Sequence, residues 1–484
     1  LHQFIQKMNK REKAYFTSYA STAMHGKQSN YFRLYTYLSN HTSFDKKEIE
    51  HYFSEETFVQ HLTSELSYLQ GILFRTLISY NFERTPKDKL GKTILIINIL
   101  LERGFKVEAQ RKIKRAKETA YKLEDFTSIL KLIEYEEEAY FQIGILGYMK
   151  KLDELAQERQ RIYDTIKNLN QLRILREEIR NYALNMSGPV NMQVVSKYFD
   201  NELMKDEKSV LSIKAKEHWY YVLSMRLFIT KGFDYPLDSS LAHIRLIEDN
   251  PQVFKNATML PVLSNALYHS AYQKEVEIFE QFNTKLLQFK NKSETRNNYI
   301  AYVMYARRIE LYFQLKDVQK NEQIINDPKF NKLLTHGKLV KAQVDYLYFL
   351  IVRACIMNND FRKARSYVNE GIVKIQDSKF MLHLRIFSLL IYLELEQFSI
   401  LSYEMKSTIK VLKMHKMYNE LAKAFIEFIR KYTNNKNDSA LLTELIQHIN
   451  TYKSNVNKIS STDVDGLLYW CAQRKLRKDA LNNS

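Results

Sequence analysis

The chain has 484 residues, 45% of them hydrophobic, and a formal net charge of +18 from 73 basic and 55 acidic side chains. Only 11 Gly and 6 Pro serve that length, too few for the turns of a sheet-rich or loop-rich enzyme, which leaves long helices joined by short connections. Two cysteines, Cys355 and Cys471, exclude a disulfide framework and suit the cytoplasm, while the positive balance admits an acidic partner or plain solubility.

The opening residues, LHQFIQKMNKREKAYF, contain no apolar core of signal-peptide length, and Lys7, Lys10, Arg11 and Lys13 follow the hydrophobes rather than precede them. Residues 1–82 read as a distinct helical domain. Phe4, Ile5, Met8, Phe16, Leu34, Leu38 and then Leu62, Leu66, Leu69, Leu73 and Leu77 recur at helical spacing. His25-Gly26 and Asn40 to Ser43 divide the region, and Ser54 is expected to cap a helix with Glu55 and Glu56 in its first turn. Asn81 to Lys89, with Pro86, mark a boundary. The apolar run Ile94 to Leu101 falls far short of the roughly 20 residues a membrane span needs, so no membrane partner is expected.

Residues 90–455 read as an array of helical hairpins. Gly104-Phe105 forms a turn followed by the small residues Ala109 and Ala116, seven apart on one helix face. Further turns fall near Ile145, Val190, Phe233, Tyr272, Val318, Phe361 and Phe398, and at Asn434 to Asp438. Asp125 is expected to cap a helix over Phe126 to Tyr140, and Asp238-Ser239-Ser240 another from Leu241. Pro251 and Pro261 bracket short connections, and Gly188-Pro189 places a break near 186–190. Residues 456–484 form a terminal capping helix and tail, with Arg474 to Ser484 fraying and Arg474, Lys475, Arg477 and Lys478 decorating its surface.

The clearest unit is Asp345 to Ile375, two helices around Asn358-Asn359-Asp360-Phe361, with Ala364 and Gly371 again seven apart and Tyr348 and Ile351 as first-helix core positions. This unit resembles a tetratricopeptide repeat: Phe361, Ala364 and Gly371 match the family's aromatic and two small positions. Val352 replaces the family's Gly or Ala, Gln376 its frequent Pro, and Phe398 is followed by Leu401 instead of alanine. The N-terminal FIQKMNKREKAYF ahead of a divergent array is similar to uncharacterised tetratricopeptide-like proteins of Bacteroidota bacteria, a likeness that implies no activity. The resemblance implies an all-α, right-handed α-solenoid whose first helices line a concave wall. It projects Tyr346, Phe349 and Arg353 inward, with His383 in the next unit, an aromatic-plus-Arg set suited to gripping a peptide or helix.

Chemistry is thinly represented. Gly91-Lys92-Thr93 lacks the glycine and preceding strand of a phosphate loop and reads as a helix turn. His41, His51 and His61 are ten apart rather than four, and no cysteine pair completes a zinc site. Glu134, Glu136, Glu137 and Glu138 are spread around a solvated helix face, and no G-x-S-x-G motif supplies a nucleophile. Lys106, Arg111, Lys112, Lys114, Arg115 and Lys117 form the densest basic stretch, a candidate anion-binding face. The expectation is a cytoplasmic scaffold or adaptor without catalysis, cofactor or metal, holding a protein or peptide in its concave surface. Nucleic-acid binding through the basic helix and residues 1–82 is the alternative.

Overall fold

The computed structural model describes residues 1–22, 29–82, 84–141, 145–185, 192–231, 237–374, 380–434, 439–455 and 464–482. Among the described residues it is all-α: 24 α-helices with a few short 3-10 turns and no strand. The chain divides into two compact units, Leu1–Asp164 and Thr165–Ser484. The expected turns at His25-Gly26, Gly188-Pro189, Val190 and Phe233, the 186–190 break and most of Asn434 to Asp438 lie outside the described residues.

The first unit begins with α1 (His2–Lys7), α2 (Lys10–Thr22), α3 (Asn30–Asn40), α4 (Lys46–Tyr52) and α5 (Leu62–Asn81). They enclose a core of Ile5, Phe16, Leu34, Leu38, Ile49, Leu69 and Leu73. Ser54 caps no α-helix: a 3-10 turn, Thr57–His61, intervenes before α5, and Glu56 pairs with Arg33 at 2.6 Å. The unit continues with α6 (Pro86–Glu102), α7 (Lys106–Lys122), α8 (Phe126–Tyr140) and the start of α9 (Ile145–Asn185). Pro86 opens α6 at a position where its missing N–H costs nothing, with Thr85 accepting from the Asp88 amide. Gly91-Lys92-Thr93 lies inside this helix. The small pair Ala109 and Ala116 is buried, as its spacing predicts.

The second unit carries the rest of α9, then α10 (Met192–Phe199), α11 (Ile213–Lys231), α12 (Asp238–Glu248), α13 (Asn256–Gln273) and α14 (Val276–Leu287). Next come α15 (Glu294–Gln314), α16 (Val318–Ile325), α17 (Pro328–His336), α18 (Lys341–Met357), α19 (Phe361–Lys374) and α20 (Phe380–Glu394). The last are α21 (Phe398–Met414), α22 (Glu420–Asn434), α23 (Ser439–Asn455) and α24 (Asp465–Asn482). Packing is largely serial: α18 meets α19 and α20, α20 meets α21 and α22, and α22 meets α23. Gly371 sits between neighbours, with Tyr348 and Leu384 both 3.4 Å from where its Cβ would lie. Pro261 falls inside α13 instead of in a connection, and the turn expected near Tyr272 is displaced to Lys274.

One turn recurs. Among the described residues seven have left-handed backbone conformation, Gly104, Glu124, Lys274, Lys316, Asn359, Glu396 and Lys416, each between successive helices. In every case the next residue's N–H reaches back to the carbonyl five residues before it, at 2.7–3.0 Å, as in Asp360 to Cys355 and Gln397 to Tyr392. This is the Schellman closure, which satisfies carbonyls the ending helix leaves unpaired. At Asp125, Asp317 and Asp360 the residue that closes one helix also opens the next, its carboxylate accepting from Ser128, Lys320 and Lys363 amides. One residue thus serves two helix ends, which is how the connections stay so short.

Candidate functional site

The helices α15, α18, α20 and α22 pack side by side in that order, each the first member of its hairpin. The terminal helix α24 packs against α23 and α18, and its side chains reach every member of this row. Its Tyr469 meets Phe313 of α15, Gly466 approaches Arg353 of α18 and Phe387 of α20, and Trp470 packs edge-on against Phe425 and Phe428 of α22. Polar bonds fix the register. The Trp470 indole N–H donates to Glu394 at 2.7 Å, and Arg474 bonds both Glu394 and, at 2.9 Å, the Tyr432 hydroxyl.

Beneath α24 lies a buried polar cluster. Arg353 and Glu310, both 1% exposed, pair at 2.5 Å. Tyr346 donates to the other carboxylate oxygen, and Tyr272 donates to the first at 3.2 Å. The Arg353 guanidinium also rests over Phe313, 4.0 Å from the ring centroid, and over Phe349 at 5.3 Å. Burial acts to lower the Arg353 pKa, but the Glu310 charge more than offsets it, so the guanidinium stays protonated. Burial raises the Asp465 carboxyl, with Lys453 at 2.6 Å and Arg353 opposing it.

The four residues expected to line a groove do converge. Tyr346, Phe349 and Arg353 share one face of α18, with Tyr346 and Phe349 stacked at 6.3 Å and His383 of α20 set edge-on to Phe349 at 5.7 Å. Three of the four are buried and the fourth is partly so. Phe349 is 0% and Arg353 1% exposed; Phe380 and Phe387 cover the first, and α24 covers the second. Tyr346 is half-buried and His383 buried. Sequence reasoning passed over Gly466, Trp470 and Glu394, and it left Arg474 to a fraying tail, whereas Arg474 is largely enclosed on an ordered helix. The signal was a lone glycine inside a helical pattern with Trp and Arg at four-residue intervals after it.

The basic face on α7 is partly spent on internal pairs. Lys117 bridges Glu136 at 2.7 Å and Glu158 at 2.6 Å, and Arg111 and Lys112 each lie 3.9 Å from Glu108. Lys114 and Arg115 are exposed and Lys106 is half-buried. The carboxylates of α8 are less solvated than their spacing suggested: Glu136 also meets Lys151, and Glu137 meets Arg159 at 2.6 Å. A separate buried cluster joins Glu217 to Arg176 at 2.9 Å, His218 at 2.7 Å and His243 at 3.6 Å. Burial works to raise the Glu217 pKa, but the two histidines and Arg176 hold it well below its usual range. Among the described residues no group of three His, Cys, Asp or Glu side chains is placed to hold a metal.

Two open clefts of about 540 and 720 Å³ flank α1, one lined by Phe4, Phe74 and Ile78, the other by His2, Gln6 and Phe44. No described helix is long and apolar enough to cross a membrane. Compared with known proteins, the chain matches no family model and no curated protein.

Proposed function

We propose that this chain is a non-enzymatic, cytoplasmic scaffold or adaptor that binds a helix across the row formed by α15, α18, α20 and α22. In this reading residues 90–455 form a right-handed, tetratricopeptide-like solenoid whose first helices make its concave wall. Residues 1–82 are a separate N-terminal domain, and 456–484 close the array. The observation that carries the reading is that a helix, α24, already lies across that row, with its aromatic ring against apolar side chains and its cation on an acid. Serial repeats hold such a wall rigid before any partner arrives, so little ordering entropy opposes capture.

The test is selection of amphipathic helical peptides on the immobilised full chain, followed by hydrogen exchange to locate the bound ones. Enrichment with added protection on α18 and α20 is the expected result. Enrichment no better than from a helix-breaking control library, or protection confined to α7, would overturn it. The nucleic-acid alternative has less support because Lys117 is committed to Glu136 and Glu158. Duplex DNA retention that disappears between low and moderate salt would revive it.

A further inference from the structure

We propose that α24 is an intramolecular ligand that closes this face. The partner class the face admits is then an amphipathic helix bearing a small residue, a tryptophan and an arginine at i, i+4 and i+8. The inference rests on the adaptor reading and adds the chemistry of the occupant.

Gly466, Trp470 and Arg474 stand on successive turns of α24, along one stripe. Each meets a different demand of the row beneath. At Gly466 a Cβ would fall 2.7 Å from Arg353 Cγ and 3.1 Å from its Cδ, so the helix approaches this closely only with a hydrogen there. Trp470 is 1% exposed between Phe425 and Phe428, and its one polar atom is satisfied by Glu394. Glu394 is the last residue of α20, where the helix dipole disfavours a carboxylate. That acid calls for a cation from outside its own helix, and Arg474 supplies it.

The row keeps charge where a permanent core would not. Glu310 and Arg353 lie wholly buried under α24, although an apolar pair there would avoid the desolvation penalty. A face that opens to water from time to time has reason to retain them. Being part of the same chain keeps α24 at high effective concentration, so a helix of modest intrinsic affinity stays docked until a competitor matches its stripe.

The experiment uses the full chain with Trp219→Phe, which leaves Trp470 as the sole tryptophan. Adding Gly466→Leu pushes α24 off by bulk; adding Arg474→Glu instead sets like charge against Glu394 without touching the buried floor. Either variant should red-shift Trp470 emission and speed alkylation of buried Cys471 at least tenfold, while amide protection persists in α15, α18 and α20. A synthetic peptide of residues 464–482 should then bind the variants and not the parent, and the Trp470→Ala form of the peptide should bind at least tenfold more weakly. Three outcomes overturn the closure: loss of protection across the row in both variants, a protected row that binds no peptide, or equal binding by the parent. If the peptide rebinds but no outside helix is ever selected, closure stands and the adaptor reading fails. If outside helices protect α18 in the parent without moving Trp470, the adaptor reading stands and closure fails.

Discussion

Replacing Glu310 with alanine removes the acceptor of three donors at once: Arg353 at 2.5 Å, Tyr272 at 3.2 Å and Tyr346. The guanidinium is left 1% exposed without its paired carboxylate, a change that costs about 3–5 kcal/mol. Arg353→Met keeps much of the stem that packs on Phe313 but strands the Glu310 carboxylate with only its two tyrosine donors, at a comparable cost of about 3 kcal/mol. Glu310→Leu combined with Arg353→Met removes both charges and their desolvation. What remains is the loss of one acceptor by each of the two tyrosine hydroxyls, roughly 1–3 kcal/mol each, with Arg307 still 3.3 Å from the Tyr346 oxygen. The double variant should therefore lose about 2–6 kcal/mol, less than the roughly 6–8 kcal/mol that the two single losses sum to. Urea unfolding followed by helical circular dichroism and by the emission of Trp219 and Trp470, both in the second unit, measures the cycle. Single-variant losses that add to within about 0.5 kcal/mol would refute the idea that the two charges act as one unit.

Further outcomes follow from the same reasoning. Glu217 has a depressed pKa when folded, so its stabilising contribution is complete above the unfolded value near 4.5 and is lost as pH falls from there toward the folded value. Acid titration of Glu217→Gln should show a shallower loss of stability below pH about 4.5 than the parent. Lys117→Met should destabilise the first unit by about 2 kcal/mol in urea, since Glu136 keeps Lys151 but Glu158 loses its cation. At the left-handed turns, Lys316→Gly or Glu396→Gly should raise the unfolding free energy by up to about 1 kcal/mol, whereas Gly104→Ala should lower it by a similar amount. Gly371→Ala should be close to neutral in thermal melts, because the added methyl meets its neighbours at ordinary contact distance; Gly371→Leu should not.

Helix-level features were legible wherever one residue carried one strong preference. Phe126 to Tyr140 emerges with both ends as expected, because Asp125 is an unambiguous cap. Ala109, Ala116, Ala364 and Gly371 are buried as their spacing requires. Other turns were less visible, since six of the seven left-handed residues are Glu, Lys or Asn, not glycine. There the conformation is imposed by the backbone bonds of two helix ends, and the side chain leaves no mark. Pro261 misled for the opposite reason: it sits early in α13, where the carbonyl it would block is only just inside the helix. The convergence of Tyr346, Phe349, Arg353 and His383 was readable because three of them share a helix face and the fourth follows by analogy. Their burial was not, because it depends on Gly466 and Trp470, more than a hundred residues further along the chain from Arg353.

Serially packed hairpins, left to themselves, behave as links in a chain, each able to let go when its immediate neighbour does. The terminal helix changes that mechanics, because it is fastened to α15, α18, α20 and α22 together and so acts as a tie-bar along the row. Pulled from its two ends, the segment from Glu294 onward should resist as a single stiff element and then yield in one rip. With the tie-bar cut at Trp470, it should pay out in a staircase of short steps.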